Sequence, residues 1–195
     1  MMWHSFAADS SFSDDLLHLD EAAAAQLKAA SCPHCGGRLD RADYPRKPRG
    51  GGIAAVLEEC VRRISLCCGR PGCRRRLTPP SVRFLGRRVY LGVTLLVACL
   101  RALTQPAPTE TPTDSGVPTR TVSRWLDWWQ TTFAGSAFFA ASAGRFVPPL
   151  EVAQLPASLV ARFTPTEPGA RLAAVLAFLA PLTTTSARAR FLRSG

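Results

Sequence analysis

The sequence predicts an α+β, mostly helical fold: a small cysteine-clamped unit near the N-terminus, then a helical bundle. Two cysteine pairs carry the first half of that expectation, Cys32-Pro33-His34-Cys35 and Cys68-Gly69-Arg70-Pro71-Gly72-Cys73. The second half comes from apolar residues recurring at helical spacing through the rest of the chain. With 47% of its 195 residues apolar, the chain can bury a core of its own. The expected division is a tail and short helix over residues 1–30, a cysteine module with an inserted basic loop over 31–86, and a helical domain over 87–195 with a flexible linker at 104–118.

Residues 1–12 read as a loose tail. From Asp14 to Lys28, acids at the front and a lysine at the back suit a helix dipole, and the helix should stop before Ser31. Between the knuckles, Arg41 to Gly52 is rich in Arg, Pro and Gly and reads as an exposed loop centred on Tyr44-Pro45-Arg46-Lys47-Pro48-Arg49-Gly50. Apolar pattern resumes at Ile53, and Arg63-Ile64-Ser65-Leu66-Cys67-Cys68 alternates like a strand entering the second knuckle. Arg87 to Leu103 predicts a buried helix, with Val89, Leu91, Val93, Leu96 and Leu100 around most of its circumference. Its apolar run is shorter than the roughly 20 residues a bilayer span requires, so no membrane partner is expected.

Thr104 to Pro118 is rich in Pro and Thr and reads as linker. A helix follows from about Thr119 to Phe133. Ala134–Ala143 is small and aromatic, and Val147-Pro148-Pro149 breaks it. Leu155–Phe163 is a short helix, and Ala170–Ala180 is a last one that Pro181 ends. The tail with Arg188, Arg190 and Arg193 reads as frayed, and nothing in residues 134–195 points to a function of its own.

The charge is lopsided, 24 basic against 14 acidic residues, and only Lys28 and Lys47 among the basic ones are lysines. Such a preference for Arg, with so much Ala, Gly and Pro, reflects in part a GC-rich genome. The distribution says more. Residues 1–30 carry five acids and one lysine, whereas 38–101 carry 15 basic residues against Asp40, Asp43, Glu58 and Glu59. A positive field over one part of the molecule points to an anionic partner, set against the plainer reading of a solvated surface.

Seven cysteines, an odd number with Cys67 and Cys68 adjacent, do not form an oxidised framework. The start, Met1-Met2-Trp3-His4-Ser5-Phe6, lacks the charged and apolar regions of a secretory signal. A cytoplasmic location is therefore expected, where such spacings favour metal over disulfide. Two tight turns presenting two thiolates each supply a tetrahedral zinc site, and Gly36, Gly37 and Gly72 let the chain turn back beneath the metal. The ligands are Cys32, Cys35, Cys68 and Cys73. Cys67 competes with Cys68, whose loop to Cys73 is the tighter. His34 reads as an outward-facing spacer, and Cys60 and Cys99, in apolar stretches, as core residues. Four thiolates close the coordination sphere, and no His-x-Glu or His-Glu-x-x-His pattern offers a general base, so the Zn2+ is structural. His4, His18 and His34 all lie at or before the first knuckle, and no catalytic residue is assigned.

In the helix from Thr119, Val122, Trp125, Leu126, Trp129 and Phe133 share one apolar face. Arg120, Ser123, Arg124 and Asp127 fall opposite, close to its N-terminus, the layout of a recognition helix in a helix-turn-helix unit. The plainer alternative is an amphipathic core helix with solvated arginines. The preceding helix ends about 15 residues earlier, where such a motif has a turn of about three or four. Trp128 can sit outside the core and stack on a base.

Taken together, Cys32-Pro33-His34-Cys35-Gly36, Cys68 to Cys73 followed by Arg74-Arg75-Arg76, and Thr121-Val122-Ser123-Arg124-Trp125 resemble the zinc-ribbon and helix-turn-helix DNA-binding regions attached to bacterial insertion-sequence transposases. The resemblance is one of layout and covers residues 31–133. It implies binding to DNA ends, with a transposase or recombinase as partner, whereas the cutting triad of that group has no counterpart here: past Trp129 the only acids are Glu151 and Glu167. The expected function is a non-enzymatic, zinc-dependent DNA-binding protein, a transposon accessory or small regulatory factor. Arg74, Arg75, Arg76, Arg83, Arg87 and Arg88 would hold phosphates, and Arg120, Ser123 and Arg124 would touch base edges. The alternatives are a zinc-ribbon adaptor docking a protein through the aromatics from Trp125 to Phe139, and an RNA-binding protein.

Overall fold

In the computed structural model, the described residues are 9–46, 61–85, 91–104 and 117–184. They form two small sheets near the N-terminus and a multi-helix core, the α+β, mostly helical arrangement expected. Helix α1, Ser10–Ala29, starts four residues earlier than the acids at 14 and 15 suggest. The reason is Asp9, whose carboxylate accepts the Phe12 amide at 3.2 Å and caps the first turn. Phe12, Leu16, Asp20 and Ala24, spaced by four, make its buried face. Phe12 and Leu16 join the main core, and Leu27 packs on the cysteine unit, so α1 spans both parts of the molecule.

Strands β1 (Leu39–Arg41), β4 (Leu66–Cys68) and β5 (Arg76–Leu77) form an antiparallel sheet in the order β1-β4-β5. Leu39 stands opposite Cys68, and Leu66 opposite both Arg41 and Leu77. A second ribbon pairs β2 (Tyr44–Pro45) with β3 (Arg62–Arg63). The single strand expected over 63–68 is thus two, interrupted at Ile64 and Ser65 where the chain passes from one sheet to the other. The Ser65 amide finds its acceptor in the Asp43 carboxylate at 3.1 Å rather than in a ladder. Arg41 ties β1 back to α1 through a two-pronged pair with Glu21, at 2.7 and 2.6 Å.

Helix α2, Gly92–Thr104, is buried from Gly92 through Leu100. Its start is crowded: a Cβ on Gly92 would lie 2.8 Å from Leu176 Cδ2. Helix α3, Thr119–Trp128, runs on into a single π-helical turn, Trp129–Phe133. Trp129 and Phe133 are fully buried there, edge to face with centroids 4.7 Å apart. Helix α4, Ala137–Ala143, is capped by Ser136, whose hydroxyl accepts the Phe139 amide at 3.1 Å. The short helix expected over 155–163 contracts to α5, Ala157–Val160. In α6, Pro168–Leu179, Pro168 opens the first turn and Glu167 accepts the Ala170 and Gly169 amides, which hold its carboxyl below the usual range.

Where the sheets meet the helices, a polar network is sealed from solvent. Asp20 accepts from Ser81 Oγ at 2.6 Å, the Val82 amide at 2.7 Å and Arg83 Nε at 2.9 Å. Arg83 Nη2 continues to the Arg62 carbonyl at 2.9 Å, so one ion pair joins α1, the 81–83 segment and β3. Replacing Asp20 by alanine would leave Arg83 buried without its carboxylate, a loss of about 3–5 kcal/mol. In urea unfolding, D20A is expected to lose about that much, and a D20L/R83L double variant to recover most of it. A D20A protein as stable as the parent would contradict the role given to the pair.

Candidate metal centre

Each knuckle is built by the same backbone device. In the first, the Cys35 and Gly36 amides both donate to the Cys32 carbonyl, at 3.3 and 2.8 Å, and Gly36 takes a left-handed φ of 68°. In the second, the Cys73 and Arg74 amides both donate to the Arg70 carbonyl, at 3.2 and 3.4 Å, and Arg74 has φ 44°. Arg74 therefore occupies the turn position that glycine fills in the first knuckle. The two extra residues of the second loop move its first cysteine back to Cys68, at the end of β4. Arg70 stitches the knuckles together by donating from Nη1 to the Cys35 carbonyl at 3.0 Å.

The result brings the Sγ atoms of Cys32, Cys35, Cys68 and Cys73 within 4.8 Å of one another. Cys35 lies 3.5 Å from Cys68 and Cys32 lies 3.9 Å from Cys73, Sγ to Sγ. Four thiolates about 2.3 Å from a tetrahedral zinc would have edges of about 3.8 Å, so the donor set fits Zn2+ in type, number and spacing. Such a site has no open position, and its role is structural. Gly37 shows how closely the chain is wrapped: a Cβ there would sit 3.0 Å from Cys68 Sγ and 3.3 Å from Cys35 Sγ.

Cys67 is excluded by geometry. Its thiol points toward the carbonyls of Arg74, at 3.5 Å, and Cys68, at 3.8 Å, on the opposite face of β4. His34 is exposed, as its spacer position predicts, and its Nδ1 lies 3.2 Å from Arg75 Nη1. Cys99 is fully buried in α2, where burial outweighs the opposing pull of Trp129 and pushes its thiol up to about 12. Cys60 lies outside the described residues.

Crowding splits the proton affinities of Cys35, Cys68 and Cys73. The Gly37 amide, then the Cys73 thiol, bring Cys35 down to about 7. At Cys68 the Arg70 amide pulls downward, but burial and the neighbouring cysteines prevail and push it up to about 12. Cys73 is raised too, by Cys35 and by burial against the pull of the Arg75 amide. Near pH 7 the metal-free cluster thus keeps protons on Cys68 and Cys73, which a metal must displace.

The arginines assigned to phosphate contact divide sharply. Arg74, Arg75 and Arg76 are exposed, directly after the last ligand. Arg76 also donates to the Ala42 carbonyl at 3.2 Å and lies 5.8 Å over the Tyr44 ring. Arg83 must be withdrawn from the set, since it is 2% exposed and bound to Asp20. Arg87 and Arg88 lie outside the described residues. Arg120, Ser123 and Arg124 are exposed on the first turns of α3, opposite buried Val122 and Trp125. Arg70 and Tyr44 belong to this surface and were not singled out as site residues from sequence. Arg70 falls inside a loop whose partner knuckle is distant in the chain, so no local signal marks it.

No protein-family model, curated protein or solved structure gave a significant match to this chain. The likeness to transposase-associated binding regions accordingly rests on the layout of these residues alone.

Two measurements test the centre. Cobalt substituted into the purified protein should give the charge-transfer and visible bands of tetrahedral thiolate, lost in C68S and retained in C67S. Affinity for metal should fall as pH is lowered, and more steeply below about pH 7, where Cys35 also takes up its proton. Metal binding indifferent to pH would rule out a thiolate set.

Proposed function

We propose that this chain is a non-enzymatic, zinc-dependent DNA-binding protein, acting as a small regulatory factor or as accessory to a transposase or recombinase. The observation that carries the reading is the metal-pinned display of cationic side chains. Arg70, Arg74, Arg75 and Arg76 are all exposed around the second knuckle, with exposed Arg62 on the neighbouring ribbon. Planar guanidiniums on a fixed backbone suit phosphate oxygens, and those contacts position a duplex without reading its sequence. Base readout is assigned to Arg120, Ser123 and Arg124. Their spacing along the start of α3, backed by a buried apolar face, is that of a helix lying in a major groove.

The adaptor alternative draws on Trp125 to Phe139 as docking aromatics. Trp125, Trp129, Phe133 and Phe138 are buried, and Trp128 and Phe139 are partly buried against them, so that alternative has less exposed aromatic surface than the sequence suggests. Absence of catalysis remains part of the proposal and is supported by the closed, all-thiolate character of the donor set.

Fluorescence anisotropy with a duplex at several salt concentrations tests the reading. Log affinity should fall with log salt by about 0.9 for each phosphate neutralised, and the slope should flatten by about that much for each of Arg74, Arg75 and Arg76 replaced by alanine. R120A and R124A should instead narrow the preference between sequences, by about 1–3 kcal/mol per lost base contact. Chelation of the metal should abolish binding. Binding insensitive to both salt and chelator would sink the proposal, and single-stranded RNA displacing duplex would move it to RNA.

A further inference from the structure

Each sulfur of the metal centre touches one on the opposite knuckle. Cys35 Sγ lies 3.5 Å from Cys68 Sγ, and Cys32 Sγ lies 3.9 Å from Cys73 Sγ, so the two contacts use all four atoms once. In both contacts one partner is sealed and the other partly open to solvent. Cys68 and Cys32 are 0% and 3% exposed, whereas Cys35 and Cys73 are half-buried. A half-buried thiolate is one a small oxidant can reach, and a buried thiolate in contact with it is placed to resolve the product. Closing either contact to the roughly 2.05 Å of a disulfide takes less than about 2 Å of movement. Cys67 stands outside this set, its thiol turned to the carbonyls of Arg74 and Cys68, and Cys99 is buried in α2.

We propose that the centre is a peroxide-responsive clamp in which two cross-knuckle disulfides, Cys35–Cys68 and Cys32–Cys73, replace the metal. The Cys35 thiolate attacks the peroxide O–O bond, taking one oxygen as a sulfenic acid and releasing hydroxide. The Cys68 thiolate then attacks that sulfur, the S–S bond forms, and the S–O bond breaks with loss of a second hydroxide. Two electrons pass from the pair to one peroxide. Cys73 and Cys32 repeat the step with a second peroxide, and Zn2+ leaves once its thiolate donors are consumed. Because each disulfide joins one knuckle to the other, the oxidised chain keeps the knuckles together without metal. This clamp rests on the metal centre and does not depend on the DNA reading.

Titrating the zinc-loaded full chain with hydrogen peroxide decides it, with zinc release followed by a chromogenic chelator and disulfides mapped by mass spectrometry of unreduced peptides. One zinc should appear per two peroxides consumed, with Cys35 linked to Cys68 and Cys32 to Cys73. Cys67 and Cys99 should still be alkylated after unfolding, and C67S should release zinc and form both links at the parent's rate. In a chelator, the oxidised chain should melt about 10 °C or more above the reduced one, and dithiothreitol should remove the difference. Zinc content before oxidation reports the centre by itself, so a chain that holds zinc but fails here overturns the switch alone. Zinc retained against excess peroxide is such a failure, as is a link of Cys32 to Cys35 or of Cys68 to Cys73. A disulfide through Cys67, or release accompanied only by sulfinic and sulfonic acids, overturns it equally. So does an oxidised chain that melts no higher than the reduced one in chelator.

Discussion

The ion pair between Asp20 and Arg83 is the constraint on which the remaining geometry depends. A carboxylate cannot remain ionised in a sealed interior unless its oxygens are occupied, and Asp20 holds three donors from consecutive residues, Ser81, Val82 and Arg83. That fixes the segment leaving the cysteine unit against the middle of α1. The same helix sends Phe12 and Leu16 into the helical core and Leu27 onto the knuckles. One helix thus sets where the metal site lies relative to the bundle, and the pair sets the position of that helix along its own axis. An apolar contact would tolerate sliding. Three hydrogen bonds to one carboxylate do not.

The metal does for the cysteine unit what packing does for the helices. Among the described residues, its own cluster of buried apolar and cysteine side chains is Cys32, Leu39, Leu66 and Cys68. So small a core cannot meet the conformational entropy of two knuckles and five short strands. Two of its four members are metal ligands, which makes coordination and core formation the same event. The left-handed turn at Arg74 fits this view. A non-glycine residue is held at φ 44°, and the adjacent ligand Cys73 leaves the chain little freedom to relax it. The knuckle in turn delivers Arg74, Arg75 and Arg76 to the surface in a fixed orientation.

What was legible in the sequence was whatever is encoded locally. Cys-x2-Cys with glycine after it specifies a knuckle because the turn closes within a few residues, and the apolar face of α3 repeats within two turns. The choice of Cys68 over Cys67 also followed from loop length, and β4 explains it by placing neighbouring side chains on opposite faces. Asp20 is not legible, because in the run from Asp14 to Glu21 it looks like any acid near the start of a helix. Its partners lie some sixty residues away. Arg83 reads as a surface cation for the same reason, since composition marks an arginine as basic without saying whether a carboxylate waits inside. The ribbon of Tyr44–Pro45 with Arg62–Arg63 was missed because neither half is long enough to show alternation.

Arginine itself is the residue whose meaning the fold decides. Arg63 and Arg83 lie within a few residues of exposed Arg62 and the Arg74–Arg76 run, yet they are used in the opposite way. Exposed guanidiniums create a field over the second knuckle that water screens and a polyanion can replace. Buried ones hold structure only as far as acceptors reach them, and Arg83 has Asp20 and the Arg62 carbonyl where Arg63 has Pro79. An excess of arginine over acid is therefore not a uniform coat. Part of it is turned inward, where it serves as the internal framework of the junction. Arg74, Arg75 and Arg76 are turned outward directly after the last metal ligand, where a large anionic partner can reach them.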